Sequence, residues 1–141
     1  MKKKRPCEPL PPRAKPKSHK VMAHYVDGFV IPIPSDKVEQ YRAIAEKAGK
    51  IWREHGALDY CECVGDDLNV ADQVPFTTLS GAAEGETVVF SWIKFESREH
   101  RDAVNAKVMA DPRMGGMCDP AEMPFDCKRI AYGGFRTIVE A

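Results

Sequence analysis

The chain has no long apolar run, no overall excess of one charge sign and no recurrent metal-ligand spacing. No segment approaches the ~20 apolar residues that a membrane-spanning helix needs, so we expect no membrane insertion. The 21 basic and 21 acidic residues balance to a formal net charge of zero. At 141 residues the chain is long enough for one domain whose core needs neither disulfides nor a structural metal ion.

Motifs for metal ions and organic cofactors are also lacking. The histidines and cysteines do not follow zinc spacing, and Asp66, Asp67 and Asp111 do not form a calcium loop. There is also no glycine-rich phosphate loop. From these absences together we expect no metal and no cofactor. The five cysteines are odd in number, and we expect Cys61 and Cys63 on opposite faces of a strand. Both observations predict reduced thiols in a cytoplasmic protein.

The balanced charge hides a sharp asymmetry along the chain. Residues 1–21 hold eight of the 21 basic residues, one of the 21 acidic residues and five prolines, so 13 basic and 20 acidic residues remain, a net charge of −7. We expect residues 1–21 to be a disordered, basic, proline-rich tail and residues 22–141 to form the folded domain. The tail has two interpretations: an arm that contacts nucleic acid or membranes, or an extension from a mis-chosen start codon.

Apolar periodicity predicts four strands and two helices in the order βαββαβ. The predicted strands cover residues 24–33, 58–64, 86–95 and 128–139, and the predicted helices run from Ser35 to about His55 and from Ser97 to just before Pro112. A further short strand is expected near 76–79. With right-handed crossovers, this order predicts a ferredoxin-like α+β fold: an antiparallel four-stranded sheet with both helices on one face.

The third strand is apolar on both of its sides. Val89, Ile93 and Phe95 alternate with Val88, Phe90 and Trp92, so neither side suits contact with water. Since the helices cover one face only, we expect a second copy of the sheet to cover the other. This arrangement is a homodimeric α+β barrel.

Several short runs along the domain carry a family resemblance. They are Tyr25–Phe29 (YVDGF), Trp52–Leu58 (WREHGAL), Val89–Ile93 (VFSWI), His100–Met109 (HRDAVNAKVM), Met123–Asp126 (MPFD) and Tyr132–Phe135 (YGGF). In this order they resemble the YbaA-like family of uncharacterised bacterial proteins, over about residue 22 to the C-terminus. The resemblance implies a dimeric α+β barrel but no catalytic residues. Some members carry a label that links them to signal-recognition-particle RNA.

The strand order, the aromatic residues and the charge of the domain bear on RNA binding. The βαββαβ order is shared with RNA-recognition motifs, in which aromatic residues on the central strands stack on bases, and Phe90 and Trp92 could imitate that pattern. However, the third strand lacks the basic-Gly-aromatic-Gly start of that motif, and the domain's charge of −7 repels phosphate. We therefore expect no nucleic-acid partner.

Two pairs of polar residues are the candidate site. Tyr25 and Asp27 share one side of the first strand, as Tyr60 and Glu62 do on the second. If these sides face the barrel interior, Asp27 and Glu62 are acid–base candidates. Tyr25, Tyr60 and Tyr132 would then bind a ligand by hydrogen bonds, with Trp92 as an apolar wall. In the alternative, the two carboxylates form ion pairs with Arg129, Arg136 or Lys94. They would then only compensate the polar groups at the ends of the sheet and would have no functional role.

Arg98, His100 and Arg101 lie in the first turn of the second helix, the end least suited to positive charge. They either pair locally with Glu96, Glu99 and Asp102 or make contacts elsewhere, for instance with an anion.

Two classes of function follow from these features. In the first, each half of the barrel binds a small apolar or aromatic molecule in a pocket, for cofactor-independent oxygenation or isomerisation by analogy with similar folds. In the second, the protein is a non-catalytic dimeric interaction or regulatory module. A cavity with converging polar groups would favour the first class.

Overall fold

The computed structural model describes residues 23–115, 119 and 121–141, and the expected tail over residues 1–21 lies outside these residues. The strands are β1 (Tyr25–Pro34), β2 (Asp59–Val64), β3 (Glu86–Phe95) and β4 (Ala131–Arg136). The helices are α1 (Val38–Glu54), α2 (Phe76–Ser80) and α3 (Arg98–Ala110), and short 3₁₀ turns cover Ser35–Lys37, Pro112–Met114 and Cys127–Arg129.

The four strands form one antiparallel sheet in the order β2-β3-β1-β4. The two central strands, β1 and β3, pair over ten residues each, from Tyr25 opposite Phe95 to Pro34 opposite Glu86. The shorter strands β2 and β4 pair with the outer sides of β3 and β1. This topology confirms the ferredoxin-like α+β fold that the order of elements predicts.

Helices α1 and α3 pack on the same face of the sheet. The buried stripe of α1 includes Tyr41, Ala45, Ala48 and Trp52, as helical periodicity predicts. Helix α3 begins after Ser97, whose side chain accepts a hydrogen bond from the backbone N–H of His100 at 3.0 Å. That N-cap is confirmed, whereas Ser35 makes no side-chain cap, because a 3₁₀ turn precedes α1.

Two elements differ from the prediction. Residues 76–80 form helix α2 and not a strand; Gly81 ends it with a left-handed backbone (φ 69°). The last strand begins only at Ala131, because residues 127–129 form a 3₁₀ turn capped by the Asp126 side chain, and it ends at Arg136, before the expected end at residue 139. Local turn and cap chemistry accounts for the helix at 76–80 and for the late start of β4.

The core between sheet and helices consists of two apolar clusters. One lies under Ile51 and Trp52 of α1 and contains Phe95 and Val104. The other lies under Tyr41 and Ala45 and contains Ile31, Ile33 and Val89.

The opposite face of the sheet is largely open. It presents Val30, Phe90 and Trp92, together with Phe135 of β4; Phe90 is 45% exposed and Phe135 63% exposed. Helix α2 covers part of this face, with Phe76 edge-on to Phe90 at 6.1 Å between ring centroids. We call it the open face below.

Within the residues that the structure describes, no helix is both long and apolar enough to cross a membrane.

Candidate functional site

A cavity of about 360 Å³ lies between the sheet and helices α1 and α3. Its walls come from both core clusters: Ala48, Trp52 and Ile93 from one, Ile31 and Ala45 from the other. Lining residues Met109 and Tyr132 are mostly exposed, so the cavity opens to solvent beside them. A partly open apolar cavity of this size is typical of a site for a small molecule.

Asp27 of β1 is one of two acidic residues on the cavity wall and is 1% exposed. Its Oδ1 accepts a hydrogen bond from Nη1 of Arg101 at 2.8 Å, and its Oδ2 accepts a longer one from Nδ2 of Asn105 at 3.4 Å. The indole N–H of Trp52 donates to Oδ1 of Asn105 at 3.1 Å. This chain of contacts joins α1, α3 and β1 and compensates the charge of the buried carboxylate.

Arg101 of α3 holds Asp27 together with residues of the neighbouring strand and helix. Its guanidinium lies 4.9 Å from the centre of the Tyr25 ring, donates to the Tyr132 hydroxyl at 2.9 Å and donates to Asp102 at 2.7 Å. Burial lowers the pKa of Arg101, but the Asp102 hydrogen bond and the Asp27 charge outweigh it, so the pKa stays above its ordinary value. Arg101 is therefore a permanent cation that stays paired with Asp27 behind the cavity wall.

Glu62 of β2 carries the second carboxylate. The Tyr60 hydroxyl donates to its Oε1 at 2.6 Å, and the Tyr41 hydroxyl donates to its Oε2 at 2.7 Å. Burial and the charge of Glu62 raise the pKa of both phenols far above the ordinary value, so they remain protonated donors at neutral pH. Buried Ser91, opposite Glu62 on β3, completes this polar cluster.

Glycine makes room for one of these rings. A Cβ on Gly49 of α1 would lie 2.7 Å from Cδ1 of Tyr60, a distance that real side chains do not show. The phenol therefore lies directly against the helix backbone.

The expected facing of the site is wrong. Tyr25, Asp27, Tyr60 and Glu62 lie on the helix-covered face, where they meet α1 and α3. The alternation of β-strands shows which residues share a face but not which face the helices cover.

Trp92 is correspondingly misassigned as the apolar wall of the site. It pairs with Gly28 and Cys61 and lies on the open face of the sheet, away from the cavity. The indole that lines the cavity belongs to Trp52 instead.

Other predicted residues contribute in part. Tyr60 and Tyr132 line the cavity directly, whereas Tyr25 acts through the guanidinium that it stacks on. The expected partners of the carboxylates also differ, since Arg129 pairs with Glu86 and Lys94 with Glu140.

Cys61 and Cys63 share the open face of β2, with their sulfur atoms 3.7 Å apart. The expectation of opposite faces is wrong, because residues two apart on a strand point the same way.

Sequence reasoning missed Arg101 and Asn105 as members of the site. Local pairing of Arg101 with Asp102 is present, but the same guanidinium also spans to Asp27. The available signal was the Arg101–Asn105 spacing of four residues, which places both on one face of α3. Across the described ranges no group of three or more His, Cys, Asp or Glu side chains is arranged to hold a metal ion.

The fold and this site define a class: a ferredoxin-like α+β protein with a cavity between sheet and helices. A solved structure described as a dimeric ferredoxin-like protein from an uncultured marine organism superposes with a TM-score of 0.58. It covers 84% of this chain and 98% of that chain at 9% sequence identity, and this likeness concerns the fold alone.

The chain belongs to the family described as "Protein of unknown function (DUF1428)", whose model matches residues 24–127. Similar sequences include the "Uncharacterized protein YbaA" of Escherichia coli strain K12 and that of Shigella flexneri. Each is 47% identical over 116 residues, which cover 82% of this chain and 97% of the relative. The YbaA-like resemblance of the sequence motifs is thereby confirmed.

Proposed function

We propose that the protein binds one small, largely apolar molecule per subunit in the cavity between the sheet and helices α1 and α3. The observation that carries the proposal is a partly open cavity of about 360 Å³ with two acidic side chains on an otherwise mainly apolar wall. An open apolar wall leaves apolar surface in contact with water, so a small apolar ligand that covers it is favoured.

The composition of the wall supports an aromatic ligand. Aromatic rings of Phe29, Trp52, Tyr60 and Phe125 contribute to it, while Ala45 and Ala48 keep the helix side shallow. Flexible thioethers of Met109 and Met123 also line the wall. Methionine adapts to different apolar shapes, which suits a binding wall.

A second candidate function is proton-transfer catalysis, in an isomerase or a cofactor-independent oxygenase. Glu62 favours it, because a carboxylate on an apolar cavity wall can act as a base toward a bound C–H acid. Asp27 is engaged by Arg101 and suits a positioning role better. The test uses NMR in D₂O to follow the exchange of the acidic C–H protons of a C–H acid that binds in the cavity. The wild-type protein should accelerate this exchange, and the Glu62→Gln variant should not. Equal rates would exclude Glu62 as the base.

We further propose that two copies assemble through the open face. The exposed Phe90 and Phe135 support this, as does the solved structure of similar fold, which is itself described as dimeric. A cytoplasmic location, expected from the thiols, stays a prediction.

The binding proposal is tested with 4-phenylbutan-1-ol, a slender aromatic alcohol, by isothermal titration calorimetry. Ala48→Phe should fill the cavity from α1 and abolish binding, and Ala45→Leu should weaken it. Ala43→Phe is the matched control, because Ala43 lies on the exposed side of the same helix. Thermal melting verifies that each variant is folded.

Binding by wild type and Ala43→Phe, together with loss in Ala48→Phe, supports the proposal. Equal binding by all variants would show that the alcohol binds elsewhere. Failure of a wider panel of small apolar molecules to bind wild type would favour the non-catalytic interaction module.

A further inference from the structure

The charges on the cavity wall are of one sign. Of the residues that line the cavity, Asp27 and Glu62 are the acids, and none of the lining residues in the described part of the chain is Lys, Arg or His. The charge of the ligand that the cavity accepts therefore depends on whether basic side chains of the protein already neutralise each carboxylate.

Asp27 is compensated from behind the wall. Arg101 donates to it at 2.8 Å and is itself only 13% exposed, so the two opposite charges form a buried pair. Asn105 donates to the second oxygen. Asp27 and Arg101 together add no net charge to the cavity.

Glu62 has no such partner. In the portion of the chain that the structure describes, no basic side chain lies within 4.0 Å of it, and its hydrogen-bond donors are the neutral phenols of Tyr41 and Tyr60. Arg42 lines the adjoining groove between α1 and β2 together with Glu62, but its guanidinium is engaged by Glu39 and Glu46. Glu62 therefore leaves the cavity with a net charge of about −1.

Glu62 also keeps room for another donor. A carboxylate has about four acceptor positions, of which the two phenols fill two. The two phenols are themselves packed against other rings, Tyr41 against Phe125 at 5.5 Å and Tyr60 against Trp52 at 6.1 Å between ring centroids.

We propose that the cavity selects a small apolar molecule that carries one cationic nitrogen, a primary or secondary amine, whose ammonium group binds Glu62. The inference rests on the proposed binding function and specifies its ligand class. The paired Asp27 and unpaired Glu62 make the selection: a carboxylate ligand would meet an uncompensated like charge, and a neutral ligand would leave the charge of Glu62 unbalanced in an apolar cavity.

Three probes with the same hydrocarbon test this class: 4-phenylbutylamine, 4-phenylbutan-1-ol and 4-phenylbutanoate, measured by calorimetry at pH 7. We expect the amine to bind at least ~10-fold more tightly than the alcohol, because a charge-assisted hydrogen bond is roughly twice as strong as a neutral one. The carboxylate should not bind measurably. Glu62→Gln should lower the affinity for the amine by about 10-fold and lower that for the alcohol by much less. Glu84→Gln, an exposed turn variant, is the matched control.

The outcomes separate this inference from the binding proposal. If the alcohol or the carboxylate binds as tightly as the amine to wild type, the cation preference is overturned while the apolar cavity stands. Unchanged amine affinity in a folded Glu62→Gln variant overturns it as well. If none of the three probes binds, the cation inference fails, and the binding proposal must be judged on the wider panel.

Discussion

At the scale of single residues, the Asp27–Arg101 ion pair carries a high desolvation cost, because both charges are buried. Both charges are largely removed from water, and their mutual attraction repays that cost only while both remain. Arg101 also contacts Tyr132 and Asp102, so the pair ties the edge of the sheet to α3.

Asp27→Asn leaves the Arg101 cation without its buried partner. We expect a loss of about 3 kcal/mol in the free energy of unfolding, in the range for breaking a buried ion pair. Asp102→Asn removes the exposed carboxylate that binds the same guanidinium and should cost less than about 1 kcal/mol. Urea unfolding of both variants measures the difference, and equal losses would contradict the assignment of Asp27 as the partner that matters.

The substitution Gly49→Ala has two opposite effects on stability, one from helix propensity and one from packing. Alanine in a helix interior is favoured by about 1 kcal/mol over glycine, but its Cβ would press on the Tyr60 ring. Because overpacking a core costs about 1–3 kcal/mol, we expect net destabilisation in chemical denaturation. Combining Gly49→Ala with Tyr60→Val removes the obstructing ring, and the substitution should then become neutral or stabilising. A stabilising effect in the wild-type background would contradict the close packing.

Which residues share a face could be predicted from the sequence, but which face they occupy could not. The period-two rule correctly groups Asp27 with Tyr25 and Glu62 with Tyr60. Since β3 is apolar on both sides, alternation gives no sign of which side the helices cover. Contacts such as that between Asp27 and Arg101, 74 residues apart, have no local signal at all.

At the scale of elements, the start of β3 is held by an ion pair with the 3₁₀ turn before β4. Arg129 binds both oxygens of Glu86 at 2.8 Å, and its Nη2 also donates to the carbonyl of Gly81. The hydrogen bonds from Arg129, and one from the backbone of Ala83, lower the pKa of Glu86 to about 2. These contacts connect α2, β3 and the approach to β4.

The stability of the domain should depend on the charge of Glu86 in acid. Because its folded-state pKa is lowered, its contribution is complete above the ordinary pKa of 4.5 and is lost as the pH falls toward 2. We expect the free energy of unfolding to fall less steeply between pH 4.5 and 2 in Glu86→Gln than in wild type. Denaturant unfolding at each pH measures this, and parallel curves would show that the pair contributes nothing.

The main elements were predictable because each has strong local signals. Helix α3 has the Ser97 cap at its start and Pro112 after its end, and β3 consists mainly of β-branched and aromatic strand formers. The shortened β4 was not predictable, since Ile130 and its neighbours suit a strand but are diverted by the Asp126-capped turn. Nor was the cavity predictable, because apolar residues that line a cavity and those that fill a core have the same periodicity.

At the scale of the whole molecule, the open face carries the proposed assembly. Trp92→Asp would place an unpaired carboxylate on that face, where the dimer would bury it. The dimer should therefore dissociate, because the free energy of dimerisation becomes less favourable by several kcal/mol. Analytical ultracentrifugation at micromolar concentration measures the change.

Val74→Asp is the matched control for the dimer, because Val74 is 71% exposed in the connection before α2. Phe135→Asp on β4, at a more exposed position of the open face, is a second disrupting variant. A wild-type monomer at this concentration would contradict dimerisation through this face.

The basic tail should be dispensable for the fold. A chain that begins at Met22 should keep the melting temperature of the full chain to within about 1 °C and keep its oligomeric state, because the tail sequence offers no apolar face to dock. Differential scanning calorimetry compares the two chains. A loss of several degrees would indicate a stabilising contact of the tail.

The location of the ligand tests the central claim most directly. Crystals soaked with 4-phenylbutylamine should show difference electron density in each subunit, enclosed by Trp52 and Tyr60, with the nitrogen within hydrogen-bond distance of Glu62. An empty cavity in crystals that bind the amine elsewhere, such as between two open faces, would contradict it.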